Sequence, residues 1–292
     1  MARALAPSAG RWLVLLALEA ACSPNRVAVL SRHTPHSWSG QSCRGGYAAL
    51  ADCNLNIYEH AASMAASSGA ELLLLPEAYG LTGGVGGFET YISKPQANPC
   101  EDGAVQNVSA PAQRFLSCSA QRHNVTMVAN LFVTLANDTR RIVETVFEAG
   151  TGAVMAAYFK HHLFPNERLH GVTRGPFAPT SFVASRSGKR WGLLICYEGL
   201  YADLFRDWSQ LDVLKAGGAD GILWSIGGVL PAHSVGRAIA AHLSLPVLAS
   251  EDGASAVALS GSADPIHLNA SLALPPVADY TGHAAVDIFE VP

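Results

Sequence analysis

Three short apolar runs in this chain each end on a chemically reactive side chain, and that pattern constrains the fold more than any other feature. Glu71-Leu-Leu-Leu-Leu75 runs into Pro76 and Glu77. Ala153–Phe159 runs into Lys160. Arg190–Ile195 runs into Cys196, with Glu198 two residues further on. Apolar runs of this length, bounded by turn formers, read as strands buried on both faces. Residues just beyond the carboxyl ends of such strands gather at the ligand crevice of an α/β sheet. A carboxylate, an ammonium and a thiol are therefore expected to meet.

The segments between these runs supply the rest of the sheet and its cover. Arg26–Ser31 reads as a first strand. Tyr47–Ser68 carries apolar residues at helical spacing and stops before Gly69, a C-cap residue. Gly80, Gly83, Gly84, Gly86 and Gly87 mark a loop. Gln113–Gln121 reads as a short helix, Asn124–Leu135 as a strand, and Arg141–Ala149 with Ala153–Phe159 as a strand pair. Thr180–Ala184, Gly221–Ser225 and Pro246–Ser250 read as strands, Leu204–Lys215 and Ala232–Leu243 as helices, and the tail from Ala256 offers two further strands. Strands alternating with helices, without repeat or linker, point to one domain with a mixed sheet and helices outside. Trp191 and Trp208 read as core.

The N-terminus is read apart from the fold. Arg3 and Arg11 precede the apolar run Trp12–Leu18 and the small residues Ala20, Ala21 and Ser23. That is the form of a secretory signal peptide, assigned to residues 1–22 with the domain over 23–292. The run is far short of the roughly 20 apolar residues that span a bilayer, and no later segment is long enough. A lipid-anchored Cys22 fits less well because Glu19 is nearby. With 14% charged residues, net charge −4 and no Lys/Arg cluster, the composition excludes disorder and gives no footing for nucleic acid.

Six cysteines occur. Removal of Cys22 leaves five, of which an oxidising compartment pairs four. Cys196, in the most apolar strand, is the odd one. Cys43, Cys53, Cys100 and Cys118 allow three pairings, and proximity in sequence favours Cys43–Cys53 with Cys100–Cys118. Glycosylation sequons at Asn107, Asn124, Asn137 and Asn269 fit the same secreted, extracellular setting.

Taken singly, each reactive residue has a plainer explanation: Cys196 an inert core thiol, Glu77 a cap, Lys160 a solvated charge. Their shared position at strand ends favours chemistry. Glu77 would take the thiol proton and return it to a leaving amine. Lys160 and the backbone N–H of Tyr197 would hold the oxyanion of a tetrahedral intermediate. A nucleophilic Cys196 is expected to have a depressed pKa and to alkylate well below the ordinary thiol value of about 8.5. His161 and His162, adjacent on a presumed strand, would point to opposite faces and suit a metal poorly. Gly80–Gly87 lacks the Lys-Ser/Thr of a phosphate loop, and His233 and His242 read as surface or pocket edge.

These residues, together with Asn54–Glu59, Leu75–Gly80, Asn98–Cys100, Arg114–Cys118, Met127–Leu131, Lys160–Phe164 and Leu194–Glu198, resemble the nitrilase superfamily, and within it the biotinidase/vanin branch. The resemblance runs from about Val27 to Ser250. It implies a four-layer αββα sandwich with Glu77 as base, Lys160 as oxyanion lysine, Cys196 as nucleophile and Glu167 as a supporting acid, working without metal or cofactor. It implies hydrolysis of a small-molecule linear amide through a thioester, with pantetheine, cleaved to pantothenate and cysteamine, as first choice. Biotinyl-lysine or another amide is the alternative, and a catalytically silent secreted glycoprotein is the reading from a different class. The branch has Phe-Asp where this chain has Tyr197-Glu198, and a Trp-containing segment where this chain has Ser225–Pro231. Its further C-terminal domain is not expected here. The oligomeric state is left open.

Overall fold

The computed structural model describes residues 25–31, 46–77, 87–101, 110–227, 232–251, 254–258, 266–273 and 284–291. The signal segment, Cys43, Asn107 and most of the glycine-rich loop lie outside them.

Two sheets share one plan, a parallel core of three strands edged by antiparallel ones. In the first, β1 (Asn25–Ser31), β2 (Leu72–Leu74) and β4 (Thr126–Thr134) are parallel neighbours. β13 (Ala285–Val291) and β12 (Ile266–Ala273) extend one edge; β5 (Arg140–Phe147) and β6 (Val154–Phe159) extend the other. The two-residue β3 (Glu89–Thr90) pairs with β4. In the second, β8 (Arg190–Ile195), β9 (Gly221–Ile226) and β10 (Val247–Glu251) are parallel, with β7 (Ser181–Val183) and β11 (Ala254–Ala258) antiparallel at the edges.

Alternation along the strands builds the layers. Val27, Val29, Leu72, Leu74 and Val128 face inward, in one core with Trp191, Leu193 and Leu223 of the other sheet. Ala28, Leu30, Leu73, Leu75 and Met127 face outward, onto Ile57, Tyr58, Ala61, Ala62 and Ala65 of α1 (Gly46–Ser67) and Ala112, Leu116 and Ala120 of α2 (Pro111–His123). Gly69, at φ +74, closes α1 as the sequence suggests. Beyond the second sheet lie α4 (Tyr197–Phe205), α5 (Ser209–Ala216) and α6 (Ala232–Leu243), which bury Ala202, Leu211, Leu214, Val235, Ile239 and Leu243. The result is the expected αββα sandwich, one domain.

Hydroxyls stitch the sheets together at the ends that matter. Ser225 Oγ lies 2.8 Å from the Leu75 carbonyl oxygen, and Ser250 Oγ donates to the Leu30 carbonyl at 2.7 Å. The Glu77 N–H donates to the Ile226 carbonyl at 3.3 Å. The strand ends carrying Glu77 and Cys196 are therefore coupled although they belong to different sheets.

Several elements differ from the sequence reading. The single helix expected over Leu204–Lys215 is two helices, α4 and α5, and α4 begins directly after Cys196. The strand that ends at Cys196 thus turns directly into a helix. The helix expected over Gln113–Gln121 starts earlier because Pro111 occupies its first turn, where a missing N–H costs nothing. β3 and the five-residue α3 (Pro165–Leu169) were not anticipated, and the described residues from Ala254 onward form three strands, where the reading of the tail from Ala256 offered two. Trp208 is only half-buried and stacks on His242, their ring centroids 4.5 Å apart. Cys100 and Cys118 form a disulfide, and Cys53 is also disulfide-bonded. Asn124 and Asn137 are exposed, the latter in the β4–β5 turn, and Asn269 lies on β12.

Candidate active site

Glu77, Lys160, Glu167 and Cys196 come together, all buried. Glu77 follows β2, Lys160 follows β6, Glu167 sits in α3 and Cys196 joins β8 to α4. Lys160 Nζ is 2.8 Å from Glu77 Oε1 and 2.5 Å from Glu167 Oε1. The β6–α3 corner is shaped for this. The Lys160 N–H donates to Ile142 on β5, its carbonyl accepts from Gly175 N–H, and Glu167 Oε2 accepts the Phe164 N–H at 2.8 Å, capping α3. Gly175 is required there, because a Cβ would collide with the Phe159 carbonyl.

Cys196 adopts φ +42, ψ −111, a conformation that L-residues rarely occupy. Its surroundings hold it there. The Cys196 N–H donates to the Ser225 carbonyl at 2.7 Å, and its carbonyl accepts from Trp224 Nε1 at 3.0 Å. Trp224 packs against α4 where Gly199 leaves room, since a Cβ there would lie 2.5 Å from the indole. Backbone strain of this kind costs on the order of 1–3 kcal/mol and concentrates at functional sites. Tyr197 is the first residue of α4, so its N–H has no intrahelical acceptor and the helix dipole favours negative charge beside it. Its ring is half-buried, edge-on to Phe164 at 5.4 Å.

The electrostatics correct one expectation. Cys196 is not depressed. Burial pushes its thiol well above the ordinary value, the Glu77 charge pushes the same way, and Lys160 opposes too weakly to reverse it. The Lys160 ammonium is shared between two carboxylates and is not free to stabilise a thiolate. Burial also raises Glu77, with Lys160 pulling it back and Glu167 adding to the rise. For Lys160 burial acts downward, but Glu77, Cys196 and Glu167 outweigh it and hold the ammonium charged well above its usual range. The resting site is a neutral thiol beside a carboxyl group and a fixed cation. Glu77 Oε1 is engaged by Lys160, and the Glu77 carboxyl also pairs with the Cys196 thiol.

Glu198 is the residue sequence reasoning undervalued. It is 2% exposed, and its Oε1 accepts from the His161 and His162 N–H groups at 2.7 and 3.2 Å and from Tyr158 Oη at 2.5 Å; Oε2 accepts the Ile195 N–H at 3.0 Å. One carboxylate thus joins the residues after Lys160 to the residue before Cys196. Its signal was present in the sequence: an acid two positions past Cys196, in an apolar segment, needs buried donors. The histidines also depart from expectation. β6 ends at Phe159, so His161 and His162 are not on a strand and their rings sit edge-to-face at 4.7 Å. His161 Nδ1 is 2.9 Å from the Gly175 carbonyl and His162 stacks on Tyr201. Burial and the neighbouring His161 lower His162 to about 4. Among the described residues no helix is long and apolar enough to cross a membrane.

Comparison with known proteins places this geometry. Residues 27–215 match the carbon-nitrogen hydrolase family. Human pantetheinase is 26% identical over 212 residues, which is 65% of this chain and 40% of the human protein. Mouse pantetheinase is 27% identical over 173 residues, 53% of this chain and 33% of the mouse protein. The chain therefore spans less than half the length of these relatives. An amidase from Nesterenkonia sp. superposes with a TM-score of 0.59 at 20% identity, covering 92% of this chain and 91% of that one. A mutant of the Nesterenkonia sp. AN1 amidase, carrying the Michael adduct of acrylamide at its active-site cysteine, superposes equally well over 92% and 93%. The amidase structures share the fold, and the family match covers more than half of the sequence: the chain belongs to the carbon-nitrogen hydrolase family.

Proposed function

We propose that the protein is a secreted amidohydrolase that cleaves a linear amide through a Cys196 thioester, with pantetheine as substrate. The observation that carries this reading is the convergence of Glu77, Lys160 and Cys196 from three strand ends and two sheets onto one buried cluster, with Cys196 on a strained turn at a helix N-terminus.

A thiol that burial keeps protonated needs its base at the moment of attack. Glu77 takes the thiol proton as sulfur adds to the amide carbon. Lys160 and the Tyr197 N–H stabilise the oxyanion, with Glu167 fixing the ammonium in place. Glu77 then hands the proton to the departing nitrogen, the C–N bond breaks, and the amine leaves. Water, deprotonated by Glu77, attacks the thioester, and the acid departs as the thiolate recovers its proton. For pantetheine the amine is cysteamine and the acid pantothenate. The pantetheinase relatives support this substrate. In this reading residues 1–22 direct secretion and 23–292 form the hydrolase domain. The Cys100–Cys118 disulfide suits an oxidising compartment, where Asn107, Asn124, Asn137 and Asn269 are the glycan acceptors.

The test is cysteamine release from pantetheine by the purified protein, with Cys196→Ala beside it. Release that vanishes in the variant supports nucleophile and substrate together. No release moves the test to biotinyl-lysine and simple amides, and inactivity on all of them overturns the enzymatic reading in favour of a silent glycoprotein.

A further inference from the structure

Glu144, in the middle of β5, is buried and stands outside the mechanism above. Its contacts define its protonation. Ser225 Oγ lies 2.6 Å from Glu144 Oε1 and 2.8 Å from the Leu75 carbonyl oxygen, while Asn130 Nδ2 donates to Glu144 Oε2 at 3.0 Å. A serine hydroxyl carries one proton. Given to Glu144, it leaves Ser225 Oγ and the Leu75 oxygen facing each other as two bare acceptors in a dry interior, an unsatisfied arrangement that is costly. Given to Leu75, it leaves the 2.6 Å contact in need of a proton from Glu144. Only the carboxylic acid satisfies all three contacts: Glu144 donates to Ser225, Ser225 donates to Leu75, and Asn130 donates to the remaining oxygen.

The chain of bonds ends at the site. Leu75 is two residues before Glu77. The Ser225 carbonyl holds the Cys196 N–H, and the next carbonyl, Ile226, holds the Glu77 N–H. We propose that Glu144 is a positioning residue that works as a neutral acid, its proton closing a bridge between the sheets that sets Glu77 against Cys196, and that ionisation of Glu144 opens the bridge and slows the reaction. This rests on the assignment of Glu77 and Cys196 as base and nucleophile.

The surroundings fit. The ionisable groups acting on Glu144 are Glu77 beyond β2 and Glu198 on α4, both of which oppose a further negative charge, and the Lys160 ammonium is taken up by Glu77 and Glu167. Asn130 on β4 and Ser225 on β9 are neutral. Burial first, with those two carboxylates, pushes Glu144 up to about 8. Lys160 and Cys196 both titrate well above their ordinary ranges, and burial raises Glu77 and Glu198 as well, so an alkaline limb is assigned to Glu144 by its loss in the Glu144→Gln variant.

The experiment compares wild type with Glu144→Gln, Glu144→Ala and Ser225→Ala by pH–rate profile, infrared spectroscopy and thermal melting. Glutamine imitates the neutral acid: its N–H donates to Ser225 and its carbonyl accepts from Asn130. Wild-type kcat falls as pH rises through about 8, and Glu144→Gln keeps most of the neutral-pH rate without that fall. Glu144→Ala and Ser225→Ala lose about ten-fold or more in kcat with little change in KM, the size expected from orphaning one buried polar group. At pH 7 the wild type shows a carboxylic-acid C=O band that Glu144→Gln removes. Because the folded pKa lies above the unfolded one, the stability due to the proton is complete below about 4.3 and is lost as pH rises to about 8. The melting temperature of wild type therefore drops relative to Glu144→Gln across that window. A Glu144→Gln protein that is as impaired as Glu144→Ala at neutral pH, or a wild type without the infrared band, overturns the proposal. If the wild type hydrolyses no amide, the functional reading fails, but infrared and melting still decide the state of Glu144.

Discussion

At the β6–α3 corner, Glu77 and Glu167 flank an ammonium, whereas across β5 and the start of α4, Glu144 and Glu198 are held by hydrogen bonds from neutral groups. All four are buried and all are the same residue type. Environment separates their roles, as it does wherever several carboxyl groups share one enzyme core. The first pair is organised around a buried ammonium charge. Glu198 spreads its charge over backbone N–H groups and a phenol, which makes it a brace. Glu144 has one amide donor and one hydroxyl, too few to hold an anion against Glu77, and so it keeps a proton.

Removing the cation breaks this contrast most severely. Lys160→Met leaves Glu77 and Glu167 buried without compensation. Breaking a buried pair in this way costs about 3–5 kcal/mol, and under the proposed oxyanion role of Lys160 kcat falls by about 100-fold or more. The stability deficit has a sign that identifies its origin. Burial already raises Glu77 and Lys160 pulls it back, so without Lys160 its folded-state pKa rises further above the unfolded value of about 4.3. Stability is then retained at low pH and lost as pH rises through the folded value. Urea denaturation from pH 4.5 to 8 should show the variant falling away from wild type as pH increases. A deficit independent of pH would mean that packing of the lysine stem, and not charge, is what the corner needs.

How far the sequence disclosed this site depends on the kind of signal each residue left. Glu77, Lys160 and Cys196 were legible because each ends an apolar strand, a local pattern with a fixed geometric consequence. Ala232–Leu243 was legible to the residue because its apolar spacing is regular and it starts after Pro231. The helix after Cys196 was not. Its N-cap is the strained cysteine itself, it carries Gly199 near its start, and it ends on Arg206 at φ +54 with no glycine. All three are answers to tertiary demands: the thiol's exposure to Glu77, the Trp224 indole and the sharp turn into α5. Glu144 gave no warning, because an acid between apolar neighbours in Arg141–Phe147 imitates the outward face of an alternating strand. What turns it inward is Ser225, some eighty positions away on the other sheet. The depressed thiol expected of a nucleophile was also out of reach, since the balance of burial, Glu77 and a shared Lys160 exists only in three dimensions.

Glu198 offers the next test of the comparison. Glu198→Ala orphans the Ile195, His161 and His162 N–H groups together, and a loss of about 2–3 kcal/mol is expected from uncompensated buried donors. Under the proposed function activity should fall as well, because Ile195 precedes Cys196 and His161 follows Lys160. Glu198→Gln should recover much of the stability, its carbonyl oxygen still accepting from the backbone. If Gln is as damaging as Ala by urea denaturation, the negative charge of Glu198 is essential and it belongs with the charged pair, not with the braces.

The smallest effect belongs to a carboxylate–cation pair on the same helix as Glu198 but on its outer side. Asp203 Oδ1 and Arg206 Nη1 are 3.4 Å apart at i,i+3 spacing, and the arginine side chain is 74% exposed. Water solvates both partners whether or not they meet, and holding a long side chain in one geometry opposes the Coulomb gain. Asp203→Asn is therefore expected to change stability by less than about 0.5 kcal/mol and to leave the rate untouched. Both sites pair a carboxylate with a cation, one buried and one exposed, so the two variants set a buried ion pair beside a solvated one. A cost for Asp203→Asn approaching that of Glu198→Ala would show that the outer turn of α4 transmits to Cys196, and the division between a charged centre and a passive surface would have to be redrawn.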